Sequence, residues 1–492
     1  MKALARLRGL AGERDWLLTF LSVAGVVGLG VLIGQQYLNP DKRILAFSAA
    51  LLLFGVTWRL DLVAGLGVLM FALPFPRGTV FGSTNLAFIL LLTVIWLLRF
   101  TQREAPGPSR TPFDAPIAGL LIAYVLSFYN VIDYEHAFPL ANLFIACVLM
   151  FYLIVMNVRT GEELRRFHLF QTAATFVIYL FCLWEILMPG HTLIAGWIDL
   201  RNTSADLSVA QGTYRIGGPW TDFELLSEFA ALNTSFFLFQ LFQARSMLHR
   251  VIFGGMLLFS MVVQFATVTR GGMIALVIGI AYLMWLTRRR LNIVPLTIVA
   301  GLLAVVIGVM TTVLHKFTST GDLFSRLEGT KFINGMPDTR AEVWPQAWGR
   351  MLEHPLIGHG PQYDITHGLV LWYWPHDLPL FIGNCFGFFG LAMFVWLMVT
   401  FWRNGSPRTD RLDDPNYAEA FLLCARVQLF TFFVDEIKIE YLRNQTYQFQ
   451  PWLLFSTIAV AAMIRQRTTA AAAIPTPEAP RARGLASVPA RS

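Results

Sequence analysis

Charged residues are scarce in this sequence of 492 residues, since Asp, Glu, Lys and Arg make up 14% of it, against roughly 25% in soluble domains. Hydrophobic residues make up 55%, which is more apolar surface than a soluble core of this length can bury. The composition therefore excludes a soluble enzyme and a disordered chain. The net charge of +7 does not indicate nucleic-acid binding, because Lys and Arg occupy short gaps between apolar runs.

Nucleotide and metal motifs are also missing. Neither GxxxxGK[ST] nor a strand followed by GxGxxG occurs, so the reaction or transport step draws its energy from the substrate or a gradient. No HExxH or CxxC motif predicts a metal site. The cysteines have neither metal nor disulfide spacing and leave the redox compartment undetermined: Cys147, Cys182, Cys385 and Cys424. We therefore expect no cofactor and no metal.

Long apolar runs predict an all-α polytopic membrane protein whose transmembrane domain covers residues 16–464. Eight runs are long enough to cross a bilayer: 16–34, 114–130, 138–157, 169–187, 223–243, 251–268, 292–314 and 379–401. Six shorter runs count as spans because Lys and Arg then alternate between the two sides: 44–58, 61–74, 85–99, 273–287, 418–434 and 451–464. The sequence thus predicts about fourteen transmembrane helices.

The distribution of basic residues predicts the orientation of the chain. Outside the long 315–378 segment, 24 Lys and Arg residues fall on one side of the fourteen spans and 8 on the other. Because basic residues favour the cytoplasmic side, both termini are predicted to be cytoplasmic. They are the segment 1–15 and an Ala- and Pro-rich tail, 468–492, that is expected to be disordered.

Two outer segments, 188–222 and 315–378, are longer than ordinary connections. In the second, Trp344, Trp348 and Met351 recur at helical spacing, which predicts an amphipathic helix over 339–352 on the outer membrane surface.

Arg and His are concentrated on this outer side, in three motifs. They are Arg215-Ile-Gly-Gly-Pro-Trp-Thr-Asp222-Phe-Glu224, Thr269-Arg270-Gly271-Gly272, and His354-Pro-Leu-Ile-Gly-His359-Gly-Pro361 with the later pair His376-Asp377. A structural explanation competes with each functional one: Arg270 as a helix-end cap, Arg215 as an ordinary loop cation, His376 as a cap and His359 as a turn residue. The glycines after Arg270 favour function, because they expose backbone N–H groups that hold anions. Glu185, Glu228 and Arg426 lie at or within spans, and we expect them to be paired inside the bundle in a structural or a functional role.

Together these motifs resemble the O-antigen ligase and polymerase superfamily over about residues 210–401. Arg215 followed by glycine, the Arg270-Gly-Gly segment and the HPLIGHGP stretch carry the resemblance. His376-Asp377 with the later Gly387-Phe-Phe-Gly390 is similar to the family pattern His-[Asn/Ser/Gln]-x9-Gly-x-x-Gly. Two features depart from the family: Asp377 replaces the amide or hydroxyl residue, and Thr221-Asp222-Phe223-Glu224 stands where a Pro-Asn pair is common.

The resemblance implies a GT-C-like helical bundle in a bacterial inner membrane, with an active site that faces the periplasm. Its expected reaction is the en bloc transfer of a polyprenyl-diphosphate-linked glycan to a hydroxyl of a growing glycan, of lipid A core or of a protein, with inversion and without metal. Arg215 and Arg270 are the expected ligands of the departing diphosphate, and His376 the expected base. The expected substrate-binding residues are Arg340, Asp377, His359 and Asp222. A lipid-linked glycan flippase is the alternative, and it would place its charges within the spans rather than in outer loops.

Overall fold

The structure is a computed structural model, and it describes residues 42–74, 84–188, 215–288, 308, 332–333, 336–361 and 375–473. Within these ranges the regular structure is helical, apart from a two-residue antiparallel pairing of β1 (Phe332–Ile333) with β2 (Met336–Pro337). The predicted all-α fold class is confirmed. The predicted segment 1–15 and the predicted spans 16–34 and 292–314 lie outside the described residues.

The other twelve predicted spans each coincide with a helix. In chain order the helices are α1 (Lys42–Arg59), α2 (Leu62–Ala72), α3 (Thr84–Thr101), α4 (Asp114–Ser127), α5 (Tyr134–Asn157), α6 (Gly161–Leu187), α7 (Phe223–Gln243), α8 (Met247–Ala266), α9 (Arg270–Thr287), α10 (Asp338–Glu353), α11 (Leu378–Asn404), α12 (Tyr417–Glu436) and α13 (Phe449–Ala473). Short 3₁₀-helices follow α4 at Phe128–Asn130, precede α7 at Gly218–Trp220 and follow α12 at Tyr441–Arg443.

Seven described helices are long and apolar enough to cross a membrane: α5, α6, α7, α8, α9, α11 and α12. The first four helices are apolar but shorter in their described parts. With 11 residues, α2 rises about 16 Å, roughly half of the hydrocarbon thickness. The chain is therefore a polytopic membrane protein, and the number of fourteen spans stays a prediction.

Helices α7 and α12 form the centre of the bundle, where most of their residues are buried. Helix α7 packs against α8, α9 and α12, and α12 also packs against α9 and α13. Peripheral helices keep large apolar side chains exposed, for example Val125 on α4 and Val277 on α9. Such side chains match a lipid environment, in which apolar exposure has no cost.

The connecting segments lie at two opposite ends of the bundle, and polar contacts join them at each end. At one end, the starts of α7, α9 and α11 meet the segment that follows α12, as shown by the 2.7 Å ion pair between Arg443 and Asp222. At the other end, the Arg467 side chain donates to the backbone oxygen of Arg159 at 3.4 Å. This separation agrees with the predicted alternation of sides, while the end that faces the periplasm stays a prediction.

The predicted surface helix is present as α10, but a different face of it is packed. Val343, Ala347 and Met351 are buried, and the helix packs against α11. Trp348 is exposed, and the indole N–H of Trp344 donates to the backbone oxygen of Pro375 at 2.8 Å. Of the predicted face, Met351 therefore packs within the chain rather than on the membrane, whereas contact of Trp348 with the membrane surface stays a prediction.

The predicted start of the disordered tail at 468 is also wrong. Helix α13 continues to Ala473, as expected for an alanine run, because alanine has the highest helix propensity. The rest of that tail, 474–492, lies outside the described residues.

Candidate functional site

A buried carboxylate anchors the segment that carries Arg215. Glu185, near the end of α6, accepts the backbone N–H groups of Gly217 at 3.0 Å and Gly218 at 2.8 Å. Gly218 has a φ of +59°, a conformation that glycine adopts without steric cost. Of the two roles that the sequence left open for Glu185, these contacts favour the structural one.

Arg215 itself is buried beneath the turn between α8 and α9. Its Nε donates to the backbone oxygen of Thr267 and its Nη2 donates to Oγ1 of Thr269, both at 2.9 Å. The guanidinium carbon lies 3.1 Å from the centroid of the Phe223 ring. Arg215 therefore holds the turn that immediately precedes Arg270, and the two predicted catalytic arginines are structurally joined.

Arg270 is the first residue of α9, and the turn before it lies at Thr267–Thr269 rather than at the glycine pair. A side chain at Gly271 would overlap that of Lys438, and one at Gly272 would overlap that of Ser227. The glycines thus permit close packing against Lys438 and α7. The anion-binding role of their backbone N–H groups stays a prediction, because this packing concerns the side-chain positions only.

His376 and Asp377 lie directly before α11. His376 has a φ of +49°, which is uncommon for a residue other than glycine and marks a constrained position. Asp377 caps α11, because its Oδ1 accepts the backbone N–H of Leu380 at 2.8 Å, and its own N–H donates to Glu440 at 3.1 Å. The Asp377 carboxylate is therefore engaged by its own helix rather than by the imidazole of His376.

The His376 imidazole lies between the guanidinium of Arg443 and the carboxylate of Glu224. Its Nδ1 is 3.2 Å from Nη1 of Arg443 and 3.6 Å from Oε2 of Glu224. Burial lowers the pKa of His376, and the charges of Arg443 and Arg340 lower it further, against the opposing carboxylate of Glu224. His376 is therefore neutral at neutral pH, as a general base must be.

Arg443 connects these groups and was not singled out from the sequence. It forms ion pairs with Asp222 at 2.7 Å and with Glu224 at 2.9 Å. Burial by itself would lower the pKa of Arg443, but the neighbouring carboxylates outweigh it and raise that pKa above its ordinary value. Arg443 belongs to the basic residues on the side that disfavours Lys and Arg, the same signal that identified Arg215 and Arg270.

The same segment brings Lys438 and Glu440 to the site. The Arg340 side chain donates to the backbone oxygen of Lys438 at 2.9 Å. Burial lowers the pKa of Arg340, the carboxylates of Glu224, Glu440 and Asp377 oppose this, and the positive charge of Arg270 adds a smaller lowering. Burial raises the pKa of Glu440 to about 8, so this carboxyl is mostly protonated at neutral pH. We call the whole group the charged cluster: Arg215, Asp222, Glu224, Arg270, Arg340, His376, Lys438, Glu440 and Arg443.

A helix break in α11 locks the HPLIGHGP segment in place. Gly387 has a φ of +65° and interrupts the helix. The free backbone groups bond to the segment instead: Phe388 N–H donates to the oxygen of Pro355 at 2.7 Å, and Gly360 N–H donates to the oxygen of Cys385 at 2.9 Å. The HPLIGHGP segment and the Gly387-Phe-Phe-Gly390 segment therefore contact each other through their backbones.

His359 belongs to this backbone contact. Its N–H donates to the oxygen of Asn384 at 2.8 Å, and its Nε2 lies 2.9 Å from the backbone oxygen of Arg350. Its ring packs against that of His354, with centroids 4.6 Å apart. No described contact joins His359 with the charged cluster, so the geometry favours the turn role over the predicted substrate contact.

Helices α9 and α10 and much of α11 lie in a segment that matches a known family. Residues 255–395 match the O-antigen ligase family, Wzy_C. The resemblance predicted from the sequence is confirmed over these residues. This is therefore a membrane protein with an O-antigen ligase domain, a family that implies glycosyl transfer from lipid-linked glycans. None of the curated proteins compared with the chain matches it.

The O-antigen ligase domain contains only part of the charged cluster. Arg270, Arg340 and His376 lie inside residues 255–395. Arg215, Asp222 and Glu224 precede it, and Lys438, Glu440 and Arg443 follow it. The fold, rather than the matched segment alone, completes the cluster.

Two further charges predicted to be paired inside the bundle have partners. Glu228 accepts the hydroxyl hydrogen of Tyr447 at 2.7 Å. Arg426 donates to the backbone oxygen of Trp402 and stacks on the ring of that residue. Among the described residues, no group of three or more His, Cys, Asp or Glu side chains is placed to hold a metal ion.

Proposed function

We propose that this protein transfers a polyprenyl-diphosphate-linked glycan en bloc to an acceptor hydroxyl at the periplasmic face of a bacterial inner membrane. The observation that carries the proposal is the convergence of three groups on the segment after α12: Arg340 donates to the backbone oxygen of Lys438, the start of α9 with Arg270 packs against Lys438 through Gly271, and His376 lies beside Arg443. The family match over residues 255–395 supports the reaction class.

The arginines suit the donor diphosphate. Guanidinium groups such as Arg270 and Arg340 give a diphosphate planar, bidentate hydrogen bonds. The start of α9, which has no side-chain cap, adds the positive end of a helix dipole. Arg215 acts chiefly by holding the turn before Arg270. In this proposal the cations stabilise the charge of the departing diphosphate, so a chelator is expected to leave transfer unchanged.

An apolar groove next to the charged cluster suits the lipid tail of the donor. The groove has a volume of about 330 Å³ and lies between α11 and α12. It begins at Leu378, beside Asp377, and at Ile437, beside Lys438, and it continues to Trp402. A polyprenyl chain in this groove leaves its diphosphate at the arginines.

His376 is the proposed base of a single inverting displacement. The acceptor hydroxyl gives its proton to the imidazole while its oxygen bonds to the anomeric carbon. The bond from that carbon to the diphosphate oxygen breaks, and its electron pair leaves with the diphosphate. His376 keeps 29% of its side-chain surface exposed, so a substrate hydroxyl has access to it.

The glycan lipids that accumulate in a strain without the protein distinguish the three candidate acceptors. Accumulated single lipid-linked repeats indicate a polymerase. Accumulated long lipid-linked chains indicate a ligase to lipid A core or to a protein, and the acceptor left without glycan tells these two apart. Unchanged glycan lipids on the outer leaflet would contradict all three.

A flippase remains the alternative from another class. It requires charged groups along a central path through the bundle. The described charged cluster lies instead where α7, α9, α11 and α12 begin or end, which favours the enzyme. Purified protein in vesicles separates the two, because a flippase moves the donor lipid across the bilayer without forming a glycosidic bond.

The proposed sidedness has its own test. Single cysteines placed at Glu135 and at Glu353, which are exposed positions on the predicted outer side, are expected to react with a membrane-impermeant maleimide added to intact spheroplasts. The opposite end of the bundle offers a matched control at Asp413, which is exposed. A cysteine at 413 that reacts from outside, with unreactive cysteines at 135 and 353, would invert the topology and remove the periplasmic active site.

A further inference from the structure

We propose that Glu224 is the positioning residue of His376 and holds its Nδ1–H, so that Nε2 is free to accept the proton of the acceptor hydroxyl. This proposal deepens the function proposed above and rests on it. It assigns this task to Glu224 rather than to Asp377, the chain neighbour of His376, which caps α11.

The position of Nδ1 between two neighbours is the main observation. Arg443 offers a donor at 3.2 Å and Glu224 offers an acceptor at 3.6 Å. The two contacts require opposite tautomers. A bond from Arg443 places the imidazole proton on Nε2, and a bond to Glu224 places it on Nδ1. Only the second tautomer leaves Nε2 able to take a proton from a substrate.

Glu224 is held ready for this contact. Its Oε2, the atom nearest to His376, also forms an ion pair with Nη1 of Arg443 at 2.9 Å. Glu224 lies in the first turn of α7, which Asp222 caps by accepting the N–H groups of Glu224 and Leu225. Catalytic hydrogen bonds are often long without substrate and shorten in the reacting complex. A shortening of about 0.6 Å brings the 3.6 Å separation to an ordinary hydrogen bond.

The other nearby carboxylates do not fit this role. Asp377 is committed to the N–H of Leu380 as the cap of α11. Asp222 is engaged by the start of α7 and by Arg443. Glu440 accepts the N–H of Asp377, and its raised pKa keeps it mostly protonated. Glu224 is the carboxylate in ion-pair range of the imidazole among the described residues.

The charged groups that face His376 set the direction of the expected pH effect. They are Asp222 and Glu224 from α7, Arg340 from α10 and Arg443 from the segment after α12, with Asp377 as its chain neighbour. Removal of the Glu224 charge leaves the two cations with less opposition, which lowers the pKa of His376 further. The Glu224→Gln enzyme is therefore expected to have a weaker base, and the acidic limb of its pH profile moves to lower pH.

The test compares Glu224→Gln, Glu224→Asp and Glu135→Gln in purified protein with a polyprenyl-diphosphate-linked glycan donor. Glu224→Gln is expected to lower kcat by about 10²-fold or more with little change in donor KM, since a lost orienting carboxylate costs transition-state rather than ground-state binding. Its acidic limb moves to lower pH. Glu224→Asp keeps the charge and restores part of kcat. Glu135 is an exposed carboxylate in the first turn of α5, outside the charged cluster, so Glu135→Gln is the matched control, with near-normal kcat.

The imidazole ¹⁵N shifts of His376 give a second readout that a purely structural role does not change. With donor bound, the wild-type protein is expected to carry its proton on Nδ1, and Glu224→Gln on Nε2. Wild-type kcat and pH profile in a folded Glu224→Gln enzyme, or an equal loss in Glu135→Gln, would overturn this proposal and leave the proposed function intact. A wild-type protein that transfers no glycan would instead overturn the proposed function and this proposal together.

Discussion

Replacement of Arg270 by lysine is expected to abolish most transfer although the charge is kept. Arg270 begins α9, with Lys438 packed against the next residue of the helix. The ammonium group of Lys438 is paired with Asp435 at 2.8 Å, and what Arg270 adds is a planar guanidinium with two parallel donors. One ammonium does not reproduce that contact with diphosphate oxygens.

The expected decrease in the transfer rate follows from the lost hydrogen bond. A hydrogen bond to a charged group contributes about 1.5–3 kcal/mol. A loss of about 2 kcal/mol in the transition state corresponds to a decrease of roughly 30-fold in rate. The decrease should appear mainly in kcat, because the charge that develops on the departing diphosphate is larger than the charge of the bound donor.

The assay is steady-state transfer by purified protein in nanodiscs, with thermal unfolding measured on the same preparation. Arg245→Lys is the matched control, because Arg245 is exposed at the opposite end of the bundle, and its transfer rate should equal that of the wild type. Near-normal transfer by Arg270→Lys would show that Arg270 only anchors a helix end and would refute the reasoning.

Three further predictions follow from the described contacts. Arg215→Lys should reduce transfer less than Arg270→Lys but lower stability by about 1–3 kcal/mol, measured by thermal unfolding, because two buried hydrogen bonds are weakened. Transfer should decline as pH falls through the pKa of His376, which burial places below its ordinary value, so the acidic limb should lie below about 6.5. Gly387→Ala should destabilise the fold by about 1–3 kcal/mol, because its φ is +65°, whereas Gly254→Ala, with open space around it, should not.

Much of the fold was predictable because membrane spans are specified by local composition. A run of apolar residues of sufficient length forms a helix wherever it lies in the chain, since the bilayer leaves the backbone no other way to satisfy its hydrogen bonds. The packed face of α10, by contrast, was not predictable from its own segment. That face, with Val343 and Ala347, depends on the neighbouring α11, and a neighbour in space cannot be read from one segment.

The candidate site was predictable in part for the same reason. Arg215, Arg270 and His376 were found because each stands out within its own segment. Arg443 lies on the side that disfavours Lys and Arg, but it was missed because no motif surrounds it and its role depends on Asp222, which lies 221 residues away. The packing role of the glycines was not predictable either, since only the fold shows that Lys438 packs over Gly271.

The measurement that tests the central claim most directly is donor binding and glycan transfer by His376→Ala, with stability determined on the same protein. A general base contributes about 10²- to 10⁴-fold in rate, so this variant is expected to bind the donor lipid and to transfer almost no glycan. If His376 only supported the start of a helix, its replacement would cost about 1 kcal/mol of stability and leave the chemistry intact. Robust transfer by a folded His376→Ala protein would contradict the account.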